Sequence, residues 1–465
     1  MDDDKIIQVE LTDDGSAVVR KLDKPIASKL TVPSLVGSIR AEDDAAIIWS
    51  EAHPDWRYTN AWKVWHYWSD ELRSWVQDDR LKHMTLMRNL IRGKTEVGSK
   101  LRRSASVSGA ISLAKSNESV AMSAGEWDSH EMHIGTKGGV VDLTSGEYVK
   151  DPKNYLITLQ TDCELAPAGA PCPIWESVIA DACAGNGGLA RYIQKIAGYA
   201  LSGSDCEQQL FFAYGTGANS KGVLFNTLQR LMGSYAHVAN HDLLLASNTT
   251  RHPTDLAALR GKRFAVASEL PEGARWDEQR LKSITGGDMV SARVMRGDFF
   301  TFGLELTLVV FANHKPSFHS VDESVRRRVR LMPFTNTVPP EKRDKGLSQK
   351  LEAEWPSILR WMVDGCLMWQ EEGLEPPQCV IEASEEYMAN EDVLGGFLDD
   401  NVIVEPGAWA SRKQLWSRYK DWVQEVGSAG WKANDFYSAL ASRGFTPRKK
   451  VGERGFSGLR IEMRL

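Results

Sequence analysis

A chain of 465 residues, 42% of them hydrophobic, holds enough apolar material for large cores and for two to four domains. No apolar run approaches membrane-spanning length, and Met1-Asp2-Asp3-Asp4-Lys5 is not the basic region and apolar stretch of a secretion signal, so a soluble cytoplasmic protein with no membrane partner is expected. The net charge of −6 favours no partner by itself, but cations are bunched: eight Lys/Arg against Glu96 alone between Arg80 and Arg103, and twelve against five Asp/Glu from Trp409 onward. Either stretch is able to neutralise phosphates or simply to form a solvated helix face.

Residues 1–40 alternate weakly around Ile6 to Leu11 and read as an N-terminal arm or small hairpin. An α+β region follows over 41–165. It opens with an alanine-rich helix from Asp43 to Ala52, and the alternation of Trp62, Val64, His66 and Trp68 suits a strand with a hairpin turn near Ser69-Asp70. Clustered tryptophans serve either a core or base stacking, and core is the expectation. A basic helix from Arg80 to Ile91 comes next, then strands near Val140 to Leu143 and Tyr155 to Leu159. The six cysteines form no Cys-x-x-Cys pair, and His130-x-x-His133 sits in a strand-like setting, so free thiols and no metal site are expected. Pro167, Pro171 and Pro173 punctuate a linker, and residues 166–205 read as a helical collar.

The stretch that organises the chain is Leu210 to Thr227, LFFAYGTGANSKGVLFNT. An apolar strand delivers a glycine-rich loop, in which Gly215 and Gly217 let the backbone N–H groups approach an anion while the following helix points its positive end at it. Lys221 adds a mobile cation. The strict phosphate-loop pattern ends Gly-Lys-Ser/Thr, whereas this chain has Ser220-Lys221-Gly222, which removes the hydroxyl that ligates Mg²⁺ and leaves Ser220, water or another carboxylate to replace it. A glycine-rich structural turn, or a dinucleotide fingerprint with Asp242 as its acid, competes for the same pattern.

Downstream, the strand Phe264 to Ala267 ends at Ser268-Glu269, where a carboxylate is able to orient a metal or polarise an attacking water. The strand Leu304 to Asn313 ends in a polar residue, and Arg326, Arg327 and Arg328 precede the apolar Leu331, Met332 and Phe334. Strand, loop and helix, then strand with Glu269, strand with Asn313 and arginines, follow in close order. This set resembles the superfamily 3 helicases of phage and plasmid primase-helicase proteins from about residue 40 to the end. It does so on GTGANSKGVLFNTL, RHPTDLAALRGKRFAVASEL, LKSITGGDMVSARVMRGDFF, VVFANHKP and DESVRRRVRLMPF.

The resemblance implies an α/β fold with an AAA+ P-loop core over 206–376, an α+β N-terminal domain and a C-terminal winged-helix domain over 377–465. It implies that Gly215, Thr216, Gly217, Ala218, Asn219, Ser220, Lys221, Gly222 and Val223 bind nucleotide. Glu269 is then the Walker B acid and metal ligand, Asn313 sensor 1, and Arg327 or Arg328 a finger acting on a neighbouring subunit. The segment Val290 to Phe302 corresponds to a hairpin gripping single-stranded DNA in a ring channel, with Arg296 at its tip and Arg293 behind. The family further implies a homo-hexamer that uses ATP and Mg²⁺, translocates 3′ to 5′ in a bacterial host cytoplasm, and works beside a separate primase or polymerase. Ser268 replaces the aspartate expected before Glu269. Helices at Glu382 to Asn390, Arg412 to Val426 and Ala433 to Arg443, with a final hairpin, suit the winged helix, whose basic wing carries Lys449 and Lys450 toward duplex or origin DNA. No primase module is recognisable in residues 1–160, so the chain reads as a stand-alone helicase or a fragment. A nucleotide-gated loader with weak hydrolysis is the alternative that the altered loop leaves open.

Overall fold

A continuous apolar run such as Leu210 to Ala213 is stable in a sheet only if both faces are covered, and that is how the central sheet is built. In the computed structural model, which describes residues 7–11, 17–21, 39–247, 254–293, 298–319, 321–426, 430–450 and 452–462, its five strands are all parallel. In chain order they are β1 (Leu210–Tyr214), β2 (Ala236–Val238), β3 (Phe264–Ser268), β4 (Thr307–Ala312) and β5 (Val329–Pro333). Their spatial order is β2-β3-β4-β1-β5. Phe211 and Ala213 face one core with the helices Pro173–Ala182, Gly187–Ser202, α1 (Lys221–Leu231) and Leu347–Glu372, while Leu210 and Phe212 face a second core with Trp276, Leu281 and Tyr387. Helices Gly187–Ser202 and Leu347–Glu372 touch backbone to backbone, since a Cβ at Gly198 would lie 2.1 Å from the Cys366 amide nitrogen.

Contacts divide the chain into two units, one of Met1–Asn60 with Asp78–Met122, the other of Ala61–Gln77 with Ser123–Leu465. In the first, helices Glu42–Ala52, Lys82–Lys94 and Ser104–Ala114 bury Trp49, Met87, Ile91 and Ala110, and strand Trp56–Thr59 pairs in parallel with Ala121–Met122. The Asp78 carboxylate caps the basic helix by accepting from the Lys82 and His83 amides at 2.9 and 3.0 Å, and Arg88, Arg92 and Lys94 stay exposed. The arm is described only as an antiparallel pair, Ile7–Leu11 with Ala17–Lys21.

In the second unit, Val64–Ser69 and Ser74–Gln77 form the expected hairpin. Trp65, Trp75 and Trp127 are buried, as a core cluster requires, but Trp62 is only half-buried. Tyr155 to Leu159 is not a strand, which corrects the sequence expectation. The carboxylate of Asp128 accepts from the Thr158 and Leu159 amides at 2.7 and 3.2 Å and from the Thr158 hydroxyl at 2.6 Å, so these two amides are satisfied by a side chain instead of a ladder. The six cysteines are free thiols; burial pushes Cys163, Cys183 and Cys366 up to about 12.

The C-terminal part of this unit follows the order helix Val393–Asn401, strand Val402–Ser411, helices Arg412–Val426 and Ala433–Ser442, and strands Thr446–Lys450 and Glu453–Ile461. Its three strands make an antiparallel sheet with Glu453–Ile461 in the middle, over a core of Phe397, Leu415, Tyr419, Phe436 and Phe456. It is joined to the sheet domain through Asp392, whose carboxylate receives Arg326 at 3.0 Å and also Arg443, and through His319, which stacks on Trp431 at 5.5 Å.

Candidate nucleotide site

At the carboxyl ends of β1, β3 and β4 lies a cavity of about 500 Å³, lined by Gly217 through Val223, Asn226, Ser268 through Leu270 and Phe311 through His314. Ligands favour this end of an open parallel sheet, where neighbouring connections diverge. The loop after β1 is tied down on both sides. The Gly215 amide donates to Ala312 O at 3.4 Å, Asn219 Nδ2 donates to Phe334 O at 3.0 Å, and the Val338 amide donates to Ala218 O at 2.7 Å. A Cβ at Gly215 would stand 2.1 Å from Phe334 O, so only glycine fits there. The turn is completed by left-handed residues at Gly217 (φ +99°), Ala218 (+49°) and Ser220 (+64°), with Thr216 exposed on its outer side.

Lys221 opens α1 and is 4% exposed. Its ammonium donates to Gly215 O at 2.6 Å and to Asn313 Oδ1 at 3.2 Å, which leaves one N–H for the cavity. Burial pushes its pKa down to about 8. Glu269 follows β3 with its backbone in the left-handed region (φ +59°) and its side chain exposed at the cavity wall. Lys221, Glu269 and Asn313, far apart in the chain, are therefore brought together. Asn226 and His314 line the same cavity and were not singled out from sequence; Asn226 lies one helical turn beyond Gly222, a spacing that would have flagged it.

The other candidates lie elsewhere. Arg328 O accepts from the Leu210 amide at 2.7 Å, which sets the arginine cluster beside the start of β1, about 16 Å of strand from the loop. Arg328 is buried, with Nη1 donating to Ser324 O at 3.0 Å and its pKa lowered first by burial and then by the neighbouring Arg327 charge, whereas Arg327 is exposed. Arg293 closes the outgoing strand of an antiparallel hairpin, Met289–Arg293 with Phe299–Gly303, and stands over the Phe299 ring at 5.1 Å. Arg296 lies outside the described residues. Lys449 and Lys450 are exposed on Thr446–Lys450. Asp242, the acid of a dinucleotide reading, sits exposed beside His241 and does not line the cavity.

Among the described residues no three His, Cys, Asp or Glu gather into a metal cluster. The cavity offers one carboxylate, Glu269, with the hydroxyls of Ser220 and Ser268. Such a set suits Mg²⁺ arriving with a nucleotide, because Mg²⁺ keeps several waters and takes one or two carboxylates beside substrate phosphates.

Residues 45–184 match the D5 N terminal like family model. This D5 N terminal like region ends before β1, and residues 213–328, which carry Lys221, Glu269 and Asn313, match a family of unknown function. The chain is 23% identical over 304 residues to a helicase-named protein of Acanthamoeba polyphaga mimivirus, a match covering 59% of this chain and 31% of that one. It is 24% identical over 263 residues to a helicase-named protein of Frog virus 3 (isolate Goorha), covering 51% and 26%. The chain thus spans less than a third of either relative. Two apo structures of the NrS-1 C terminal region share the fold, with TM-scores of 0.52 and 0.51 at 9% and 10% identity, covering 91% and 90% of this chain and 100% of theirs. Among the described residues no helix is long and apolar enough to cross a membrane.

Proposed function

We propose that this protein is an ATP-dependent DNA helicase of superfamily 3, working as a homo-hexameric AAA+ ring that translocates 3′ to 5′ on single-stranded DNA during phage or plasmid replication in a bacterial cytoplasm. The observation that carries the reading is the convergence of Lys221, Glu269 and Asn313 on one cavity at the carboxyl ends of β1, β3 and β4. The strand order, with β1 between β4 and β5, supports an AAA+ core. The helix–strand–helix–helix–hairpin order of the C-terminal part supports a winged helix carrying Lys449 and Lys450 toward duplex or origin DNA.

In this reading the loop from Gly215 to Val223 wraps the phosphates with its amides, and Lys221 exchanges its bonds to Gly215 O and Asn313 for β and γ phosphate oxygens. That exchange frees the Asn313 amide to meet the γ phosphate or the attacking water. Glu269 accepts a proton from that water or orients it. Mg²⁺, held by the phosphates, water and Glu269 with Ser220 or Ser268 in reach, would neutralise developing charge. In this reading Arg327, exposed and outside the cavity that holds Lys221, acts on a neighbouring copy's nucleotide. The hairpin Met289–Arg293/Phe299–Gly303 carries Arg293 and Arg296 to DNA, and priming is left to a separate primase or polymerase.

The test is ATP hydrolysis with and without single-stranded DNA over a Mg²⁺ series. DNA-stimulated turnover that Lys221→Ala and Glu269→Gln both abolish, with Glu269→Gln still binding nucleotide, is expected. Gly222 and Ser268, each lacking an expected ligand to the ion, support a second reading, a loader that binds ATP but turns it over poorly; binding without turnover in the unaltered protein would select it.

A further inference from the structure

A second cavity, of about 580 Å³, lies in the larger unit and shares none of Lys221, Glu269 or Asn313. Its wall carries Trp62, Trp127, Arg260 and Phe302. The Arg260 guanidinium stands 5.5 Å from the Trp62 ring and 5.3 Å from the ring of Phe300, on the returning strand of the hairpin. Phe300 in turn stacks on Phe302 at 5.6 Å. Arg260 is exposed, and among the described residues its guanidinium has no carboxylate partner. A cation held only by π faces keeps its N–H donors for something else. Asp128, Glu131 and Glu305 line the same cavity with Lys262 and Arg263, whose donors already meet the Ser234 carbonyl and the His130, His133 and Leu201 carbonyls, so Arg260 is the lining cation left for an incoming phosphate.

We propose that Trp62, Arg260 and Phe300 form a single-stranded DNA site at the root of the hairpin, with one base entering the cavity against Trp62 while its phosphate stays outside on Arg260. The site rests on the DNA-translocating reading and extends the path of the strand beyond Arg293. Aromatic faces and one arginine suit any base, as a translocating protein requires. The pairing joins a residue before the D5 N terminal like region's basic helix to one just before β3, and so gives the N-terminal sequence a part in gripping the strand.

Binding of fluorescently labelled oligo-dT to the full chain, with a non-hydrolysable ATP analogue and over a salt series, tests the proposal. Trp62→Ala and Arg260→Gln are each expected to weaken binding roughly five- to a hundredfold. Trp62→Phe should restore most of the affinity, and Arg260→Gln should lower the salt slope by about 0.7, the value of one phosphate contact on a single strand. Unfolding midpoints of the variants separate lost contact from lost fold. Unchanged affinity, weakening with no change in slope and no rescue by phenylalanine, or preference for a free mononucleotide over the oligomer would each overturn the site. Failure of the helicase reading is distinguishable, since it would show as absent ATP turnover in the unaltered protein while this binding is still measured.

Discussion

The two ends of the central sheet are built differently. At the carboxyl ends of its strands, Lys221, Glu269 and Asn313 meet in one cavity; at the opposite end, beside the start of β1, Arg328 is bonded into its own chain while Arg327 reaches solvent. The first end is shaped by backbone, through Gly215 and the left-handed turn, and carries a single buried cation. At the second, Arg326, Arg327 and Arg330 line a different cavity together with Glu323 and Glu385. A strand of five residues separates them, so no side-chain motion within one chain brings Arg327 to Lys221. The difference is that Arg327 and Lys221 belong to separate cavities of one chain, so the proposed finger role requires a second copy.

Arg327→Ala puts the largest strain on that contrast. Turnover should fall by roughly 10³ or more, as for fingers in other phosphoryl-transfer systems, with nucleotide binding retained. Mixing Arg327→Ala with Lys221→Ala chains should recover part of the turnover, because some neighbours then combine an intact cavity with an intact arginine. No recovery on mixing would break the division between the two ends.

A smaller effect concerns the cavity end alone. With its pKa near 8, Lys221 is charged below that pH and neutral above it, and phosphate wants the charge. Nucleotide affinity should therefore fall about tenfold between pH 7 and 9, a loss read by titrating an ATP analogue and absent in Lys221→Met. On folding the same shift acts in the other direction. Between about pH 8 and the ordinary lysine value the unfolded chain holds the extra proton, so stability of the nucleotide-free protein gains from Lys221 as pH rises.

The smallest effect comes from Gly222→Ser. A Cβ there would meet Asn226 Nδ2 at 3.9 Å and Phe311 Cε2 at 4.0 Å, ordinary contact, so the hydroxyl absent from the loop has room. Turnover at limiting Mg²⁺ should rise a few-fold, and an unchanged Mg²⁺ dependence would show that Ser220 or Ser268 already fills that place.

Much of the cavity end was legible in the sequence because each part is local. The runs at β1, β3 and β4 are largely apolar, as strands covered on both faces must be, and β3 and β4 lead into Ser268-Glu269 and Asn313, which line the cavity. What joins distant residues was not legible. Tyr155 to Leu159 has strand composition, but Asp128 takes the Thr158 and Leu159 amides. Val402–Ser411 was missed because Pro406-Gly407 interrupts it, and the ladder shifts register between Val404 and Trp409 to absorb them. The three arginines are equivalent in sequence; only packing turns Arg328 inward, gives Arg326 to Asp392 and leaves Arg327 outside. Trp62 and Arg260 meet through folding alone.

Asp392 supplies one carboxylate to two guanidiniums, Arg326 from the segment ahead of β5 and Arg443 from the last helix of the C-terminal part. Asp322, Glu323 and Glu391 line the same cavity, so the two guanidiniums are held in an acidic setting. Losing that carboxylate removes at one stroke the common acceptor of Arg326 and Arg443 and the cap on the Gly395 amide at 2.8 Å. While the carboxylate is in place, the two arginines are held to a common point. The C-terminal part is thereby latched to the very segment from which Arg327 projects.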